Sequence, residues 1–188
     1  MSDAPLAPWQ IPLSRAQHRN RSLPNARYAQ LATVRPDGHP ANRTVVFRGM
    51  GEERDQLAFV TDARSQKYEH IHSCPWGELC WYFPKTREQF RIHGQLTLQS
   101  EGTQRQTWWN NLSTAAQAQF LWPTPGAPRE FDAVFDDLET PLVSPPTHFC
   151  VLLLEPFTVD YLLLRGSPHN RYLYTRQTDG WTTQEVNP

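Results

Sequence analysis

The chain has 188 residues, a formal net charge of −1 and a pI near 6.6. That length favours one domain around one core, and the near-neutral charge argues against nucleic-acid binding, which needs a basic surface. Three cysteines (Cys74, Cys80, Cys150) form no C-x-x-C pair and leave an odd count, fitting a reduced, cytoplasmic compartment. No apolar run approaches the ~18 residues of a membrane span, and Met-Ser-Asp-Ala-Pro at the start lacks the layout of a signal peptide.

In chain order, residues 1–13 read as an extended arm, because Pro5, Pro8 and Pro12 oppose a helix. A polar helix is predicted over 14–23, with Ser14 as its cap, then a strand over 28–34. Arg35-Pro-Asp-Gly-His39 is a turn, since proline presets φ and glycine accepts a positive one. Strands follow at 43–47 and 57–61, separated by a polar loop at 49–55. A short helix is predicted over 65–73, with Ser65 as N-cap and Pro75 as its stop. Aromatic residues 78–83 form a strand. Residues 89–99 form a longer one, placing Phe90, Ile92, Gly94, Leu96 and Leu98 on one face at period two. A helix over 103–121 holds Trp108, Trp109, Leu112 and Phe120 as core residues, and 122–146 is a Pro-rich loop. Two apolar strands, 148–154 and 158–164, meet at Glu155-Pro156, and 172–176 with 181–186 make a closing hairpin across Thr178-Asp-Gly180. Helices do not alternate with strands, so the fold class is mainly β (α+β): a single domain built on an antiparallel barrel with flanking helices.

One stretch carries the candidate chemistry. It contains Arg43-Thr-Val-Val-Phe-Arg48, Phe59-Val-Thr-Asp-Ala-Arg-Ser-Gln-Lys67 and Gln89-Phe-Arg-Ile-His-Gly94. Arg43 begins a strand, Thr61 ends the next, and Ser65, Gln66 and Lys67 open a helix whose free N–H groups and dipole favour an anion. If these strands pair, the cationic and hydroxyl groups converge at one end of the sheet, as a phosphate site requires.

The order and spacing of these motifs resemble the FMN-binding split-barrel family of pyridoxamine 5′-phosphate oxidase, in its divergent oxidase-related branch. Pro168-His-Asn-Arg171, Trp181 and the closing Pro188 resemble that family's ending. The resemblance covers roughly residues 27–99 and 147–188, while 100–146 departs from it. It implies FMN as cofactor, held at a homodimer interface to which both chains contribute. It also implies FMN contacts from Arg43, Thr44, Val45, Val46, Val60, Thr61, Ser65, Gln66 and Lys67, from Gln89 across the interface, and from Tyr161 and Arg171. Gln66 stands where the family commonly has Arg, Val60 where it often has Tyr, and Tyr161 where it often has Trp. His169 and Arg48 are the candidate substrate-facing, catalytic groups. Two family arginines that hold the substrate phosphate have no counterpart here: one in the middle helix, and one two residues before His169, where Ser167 stands.

The implied activity is an FMN-dependent oxidoreductase acting on a small molecule. The alternatives are a nicotinamide-dependent flavin reductase and a non-catalytic FMN-binding module. A metal site is not expected: His70 and His72 point about 200° apart on a helix, and zinc spacing is missing. Ser113 and Ser144 sit in no nucleophile elbow, and Asp132, Asp136 and Asp137 read as solvated acids.

Overall fold

The computed structural model describes residues 6–52, 55–135 and 137–188. The first five residues of the expected arm, Glu53 and Arg54 of the expected loop, and Asp136 lie outside them.

Helix α1 (Gln10–Asn20) begins four residues before Ser14, which shortens the expected arm. Pro12 occupies the first turn, where a backbone N–H has no intrahelical partner, so the proline removes no bond. The helix buries Leu13, Ala16 and Asn20, and the fully buried Trp9 ahead of it meets Trp181 edge-on at 6.0 Å.

Strand β1 (Tyr28–Val34) pairs antiparallel with β2 (Pro40–Val46), from Tyr28 opposite Val46 to Val34 opposite Pro40. The turn between them places Gly38 at φ +83°. A two-residue strand, β3 (Gly49–Met50), pairs with the start of β4 (Leu57–Asp62). Helix α2 (Gln66–Ser73), β5 (Trp76–Phe83) and β6 (Glu88–Gln99) follow. Burial alternates along β5 and β6, placing Leu79, Trp81, Phe83, Phe90, Ile92 and Leu96 in the barrel interior.

The helix expected over 103–121 is two helices, α3 (Thr103–Asn110) and α4 (Thr114–Ala118). Ser113 breaks it: its Oγ accepts the Ala116 N–H at 3.3 Å, an N-cap inside the apolar pattern. Trp109 is fully buried, as a core reading requires. Residues 122–146 contain no regular element among the described residues.

The two strands expected around Glu155-Pro156 are one, β7 (Phe149–Leu163). Its register against β6 shifts between His93 and Gly94, so Pro156 sits at a bulge where no ladder N–H is needed. Gly94 lies opposite; a Cβ there would meet the Glu155 carbonyl oxygen at 2.1 Å. β8 (Asn170–Gln177) and β9 (Gly180–Val186) close the chain as a hairpin.

Strand β7 organises the fold. One edge pairs with β6 along its length, while the other pairs first with β4 and then with β8. The sheet forks there, giving an antiparallel split barrel in the order β2-β1-β5-β6-β7-β4-β3. The first half of β7 is buried on both faces: Leu152 and Leu154 point into the barrel core, while Phe149, Val151 and Leu153 pack against Trp109, Leu112 and Phe120 outside. This explains its unbroken apolar run. No helix among the described residues is long and apolar enough to cross a membrane.

Candidate cofactor site

Among the described residues, β4 has no strand partner on its β3 side beyond Leu57 and Ala58, and β2 ends the sheet path. A cleft of about 240 Å³ is lined from these two strands by Thr44, Val45, Val46, Val60, Thr61 and Asp62, together with Arg48 and Lys67. Ala116, Gln119, Phe120 and Pro125 form its remaining wall. Exposed strand edges carry unpaired N–H and C=O groups, which suit a ligand rich in polar atoms.

At one end the Lys67 ammonium donates to Thr61 Oγ1 at 3.0 Å and to Ser65 Oγ at 2.9 Å. Ser65 Oγ in turn donates to the Asp62 carbonyl at 2.6 Å, so Ser65 makes no side-chain cap and works instead as a brace for Lys67. Burial, and then the nearby Arg43, push the Lys67 pKa below its ordinary value. No carboxylate pairs with Lys67, Arg43 or Arg48 among the described residues. Asp62 lines the cleft but is engaged elsewhere: Arg64 Nη2 lies 2.7 Å from its Oδ2. Burial raises the Asp62 pKa, but the hydrogen bonds from Arg64 outweigh it and hold the carboxyl below its usual range.

Arg43 stands behind the cleft wall. Its Nη1 donates to Thr33 Oγ1 at 2.7 Å and to the Leu31 and Ala41 carbonyls at 3.0 and 3.1 Å, and Nη2 lies 3.4 Å from His70 Nδ1. Its charge reaches the cleft while Nη1, with two of its five donors, is committed to β1 and β2. His70, a buried member of this network, was not among the residues the sequence pattern singled out for the site. Only its position on the inward face of α2 marks it.

Along β2 the outward positions Thr44 and Val46 lead to Arg48 just beyond the strand. Arg48 is half-buried, and its Nε is buried with no partner. Burial, and then Arg27, depress its pKa. These unpaired cations are what the phosphate and polar ring edge of FMN would satisfy, and Val46 and Val60 offer apolar surface between them.

The other expected residues lie elsewhere. Gln66 is exposed at the start of α2 and does not line the cleft. Gln89 is half-buried on β6. The Tyr161 ring is stacked on Phe90 at 4.6 Å inside the barrel, and its hydroxyl donates to Glu88 Oε1 at 2.6 Å. Arg171 forms a forked pair with Asp160 at 2.9 and 2.6 Å. His169 is exposed beyond the cis Ser167–Pro168 bond. Among the described residues no bond, ring contact or shared cavity joins Gln89, Tyr161, Arg171 or His169 to the Lys67 cleft.

Residues 6–100 match the family model described as "Pyridoxamine 5'-phosphate oxidase, FMN-binding domain". The chain is 38% identical to pyridoxine/pyridoxamine 5′-phosphate oxidase 2 of Arabidopsis thaliana, over 97% of this chain and 98% of that protein. It is 26% identical to the pyridoxine/pyridoxamine 5′-phosphate oxidase of Paraburkholderia xenovorans, over 88% and 81%. Among solved structures, a pyridoxamine 5′-phosphate oxidase-related, FMN binding protein from Nostoc punctiforme superposes with a TM-score of 0.91 at 49% identity, covering 98% of this chain and all of that one. PhzG from Burkholderia lata, solved with tetrahydrophenazine-1-carboxylic acid, shares the fold at a TM-score of 0.76 and 21% identity, over 99% and 95%. By family model, relatives and fold together, the chain belongs to the FMN-binding family of pyridoxamine 5′-phosphate oxidase.

Proposed function

We propose that the protein is a homodimeric, FMN-dependent oxidoreductase that acts on a small molecule. The observation that carries this reading is the cleft between β2 and β4, where Lys67 and Arg48 hold positive charge, and the one carboxylate in its lining, Asp62, is paired with Arg64. Bound FMN would supply the redox chemistry, accepting a hydride and passing electrons to oxygen. The chain's own residues bind and orient. Lys67, braced by Thr61 and Ser65, and the first-turn N–H groups of α2 hold the phosphate. Arg43 adds charge from behind. Val46 and Val60 keep water off the ring. Arg48 cannot act as a base, so its role is to orient an anionic or polar substrate group. Gln89, Arg171 and His169 lie away from this cleft, which supports a site completed by the second chain of a dimer, with the partner's copies of these residues reaching across.

The names of the relatives make pyridoxamine 5′-phosphate the first substrate to test. Purified protein should show flavin absorbance near ~450 nm, a property of the cofactor. FMN-loaded protein should release hydrogen peroxide with pyridoxamine 5′-phosphate and oxygen. A colourless preparation that also ignores added FMN would sink the reading. A yellow protein with no oxidase turnover, whose flavin is bleached anaerobically by NADPH, would replace the oxidase with a reductase.

A further inference from the structure

Another cavity, of about 240 Å³, lies where α1, the β5–β6 turn and the end of β7 meet. It shares no lining residue with the cofactor cleft. Its volume falls just below the ~300–1,000 Å³ of drug-sized pockets, which suits a small molecule. Hydrogen bonds tie its walls together. Asn20, the last residue of α1, accepts the Lys85 N–H at 2.9 Å and donates from Nδ2 to Thr86 Oγ1 at 3.1 Å. Just past β7, the Leu164 N–H donates to the Arg87 carbonyl at 2.9 Å, and Arg165 donates to the Lys85 carbonyl.

The lining carries both signs of charge. Glu88, only 6% exposed, is its one carboxylate, and Arg15, Arg19 and Arg165 are its cations. The Tyr161 hydroxyl donates to Glu88 Oε1 at 2.6 Å, while Oε2 is buried and accepts no bond. Burial, and then that bond, raise the Tyr161 pKa, so the phenol stays a donor and keeps Oε1 engaged. Among the described residues no cationic nitrogen lies within 4.0 Å of the Glu88 carboxylate. Arg15 and Arg19 stand one turn apart on α1, and neither makes a hydrogen bond or ion pair there. A buried carboxylate oxygen without a donor is costly, and these guanidinium groups do not reach it. The arginines are exposed and Glu88 is buried, so the negative end of the cavity is the deeper one. Opposite charges thus face one cavity without touching, which leaves room between them for a molecule that carries both.

We propose that this cavity binds a small zwitterion, an amino acid, with its ammonium on Glu88 Oε2 and its carboxylate on Arg15, Arg19 and Arg165. An ammonium brings the donor that Oε2 lacks, and a guanidinium fork matches a carboxylate. An anion alone would leave Oε2 bare and meet its charge, and a cation alone would meet three arginines. The site is independent of the FMN reading.

Calorimetric titration of the full-length protein, with FMN present, tests this. The probes are glycine, L-alanine, L-serine, L-glutamate and L-lysine, with acetate and methylammonium as the two halves of a zwitterion. At least one amino acid should bind wild type saturably, and about 10-fold or more tighter than either half. Glu88→Gln keeps an acceptor for the Tyr161 hydroxyl but removes the charge, and should weaken that amino acid by about 10- to 150-fold. Arg15→Gln combined with Arg19→Gln should weaken it by a similar factor; both residues are exposed, so this variant should fold even if Glu88→Gln does not. Wild type that binds none of the amino acids overturns the site. So does acetate binding as tightly as the best amino acid, or methylammonium doing so. An amino acid bound equally by wild type and the double arginine variant also overturns it, as does one bound equally by a folded Glu88→Gln. Flavin absorbance of the same samples separates the two proposals: protein that takes no FMN but binds an amino acid refutes the FMN reading alone.

Discussion

Replacing Lys67 by Met should move two properties in opposite directions. The ammonium is half-buried, donates to two neutral hydroxyls at 3.0 and 2.9 Å, and has no carboxylate partner. An ammonium has three donors, so one remains for a phosphate oxygen. A hydrogen bond of that charge-assisted kind contributes about 1.5–3 kcal/mol, so Lys67→Met should weaken FMN by roughly 10- to 150-fold. The apoprotein should become more stable, because a desolvated cation is removed. Its folded pKa lies below the ordinary 10.5, so folding is penalised wherever the unfolded chain holds the proton more tightly. That penalty is full below the folded pKa and disappears as pH climbs past 10.5. Wild-type apoprotein should therefore gain stability over that alkaline window relative to Lys67→Met. Flavin fluorescence quenching gives the affinity, and urea unfolding of apoprotein across pH gives the stability. An unchanged FMN affinity would place the phosphate elsewhere, and a less stable variant would show that Lys67 is a structural donor.

Arg64→Ala should weaken FMN severalfold by freeing the Asp62 carboxylate on the cleft wall, and Arg64→Ala with Asp62→Asn should restore it; a double variant no better than the single refutes the charge argument. Gly94→Ala forces a Cβ to within 2.1 Å of the Glu155 carbonyl oxygen and should cost about 3 kcal/mol or more, read as a lowered urea midpoint. Glu88→Ala should strand the buried Tyr161 hydroxyl at about 1–3 kcal/mol, whereas Glu88→Gln keeps an acceptor and should be near neutral; equal losses would refute a hydrogen-bonding role. Burial, then Arg43 and Arg35, depress the His70 pKa below 6.5. The unfolded chain therefore takes up this proton first, and stability falls as pH drops below about 6.5 through the folded value. Thermal melts of wild type and His70→Gln from pH 7.5 to 5 should diverge in that window, and parallel profiles would remove His70 from the Arg43 network.

The antiparallel sheet was legible where one face is wet: β6 announces itself at period two and β5 by its aromatic run, and burial alternates along both. Misreadings arose where a local signal met a tertiary compensation. Pro12 opposes a helix only if it falls past the first turn, and Pro156 ends a strand only if its N–H is needed. Ser113 gives no clue that it caps a helix, since a serine in an apolar helical pattern is common. At the site, the end of the sheet where Thr61, Ser65 and Lys67 meet could be read from motif order. The inward turn of Arg43 onto Thr33 and His70 could not, because strand alternation sets a side chain's face but not its hydrogen-bond partners. Nor could the contrast between Arg171, neutralised by Asp160, and Arg48, which has no carboxylate partner among the described residues.

That contrast also bears on the segment from 100 to 146, whose sequence departs most from the family motifs. Its helices cover the outer face of β7 and make that strand doubly buried. The segment is tied to the cleft as well: the Phe120 and Trp122 carbonyls accept Arg64 Nη2 at 3.3 and 3.1 Å, on the same guanidinium that neutralises Asp62. Phe120, Gln119 and Pro125 then stand in the cleft wall. A change in this segment can therefore alter the shape of the wall and also the charge facing a bound anion, without touching Arg43, Thr61 or Lys67. If the motif strands hold the cofactor's charged end as proposed, the divergent segment sets how much of Asp62 that end would meet. On that proposal the wall formed by residues 119–125 can change without altering Thr61, Ser65 or Lys67, because the two are joined through the Arg64 guanidinium.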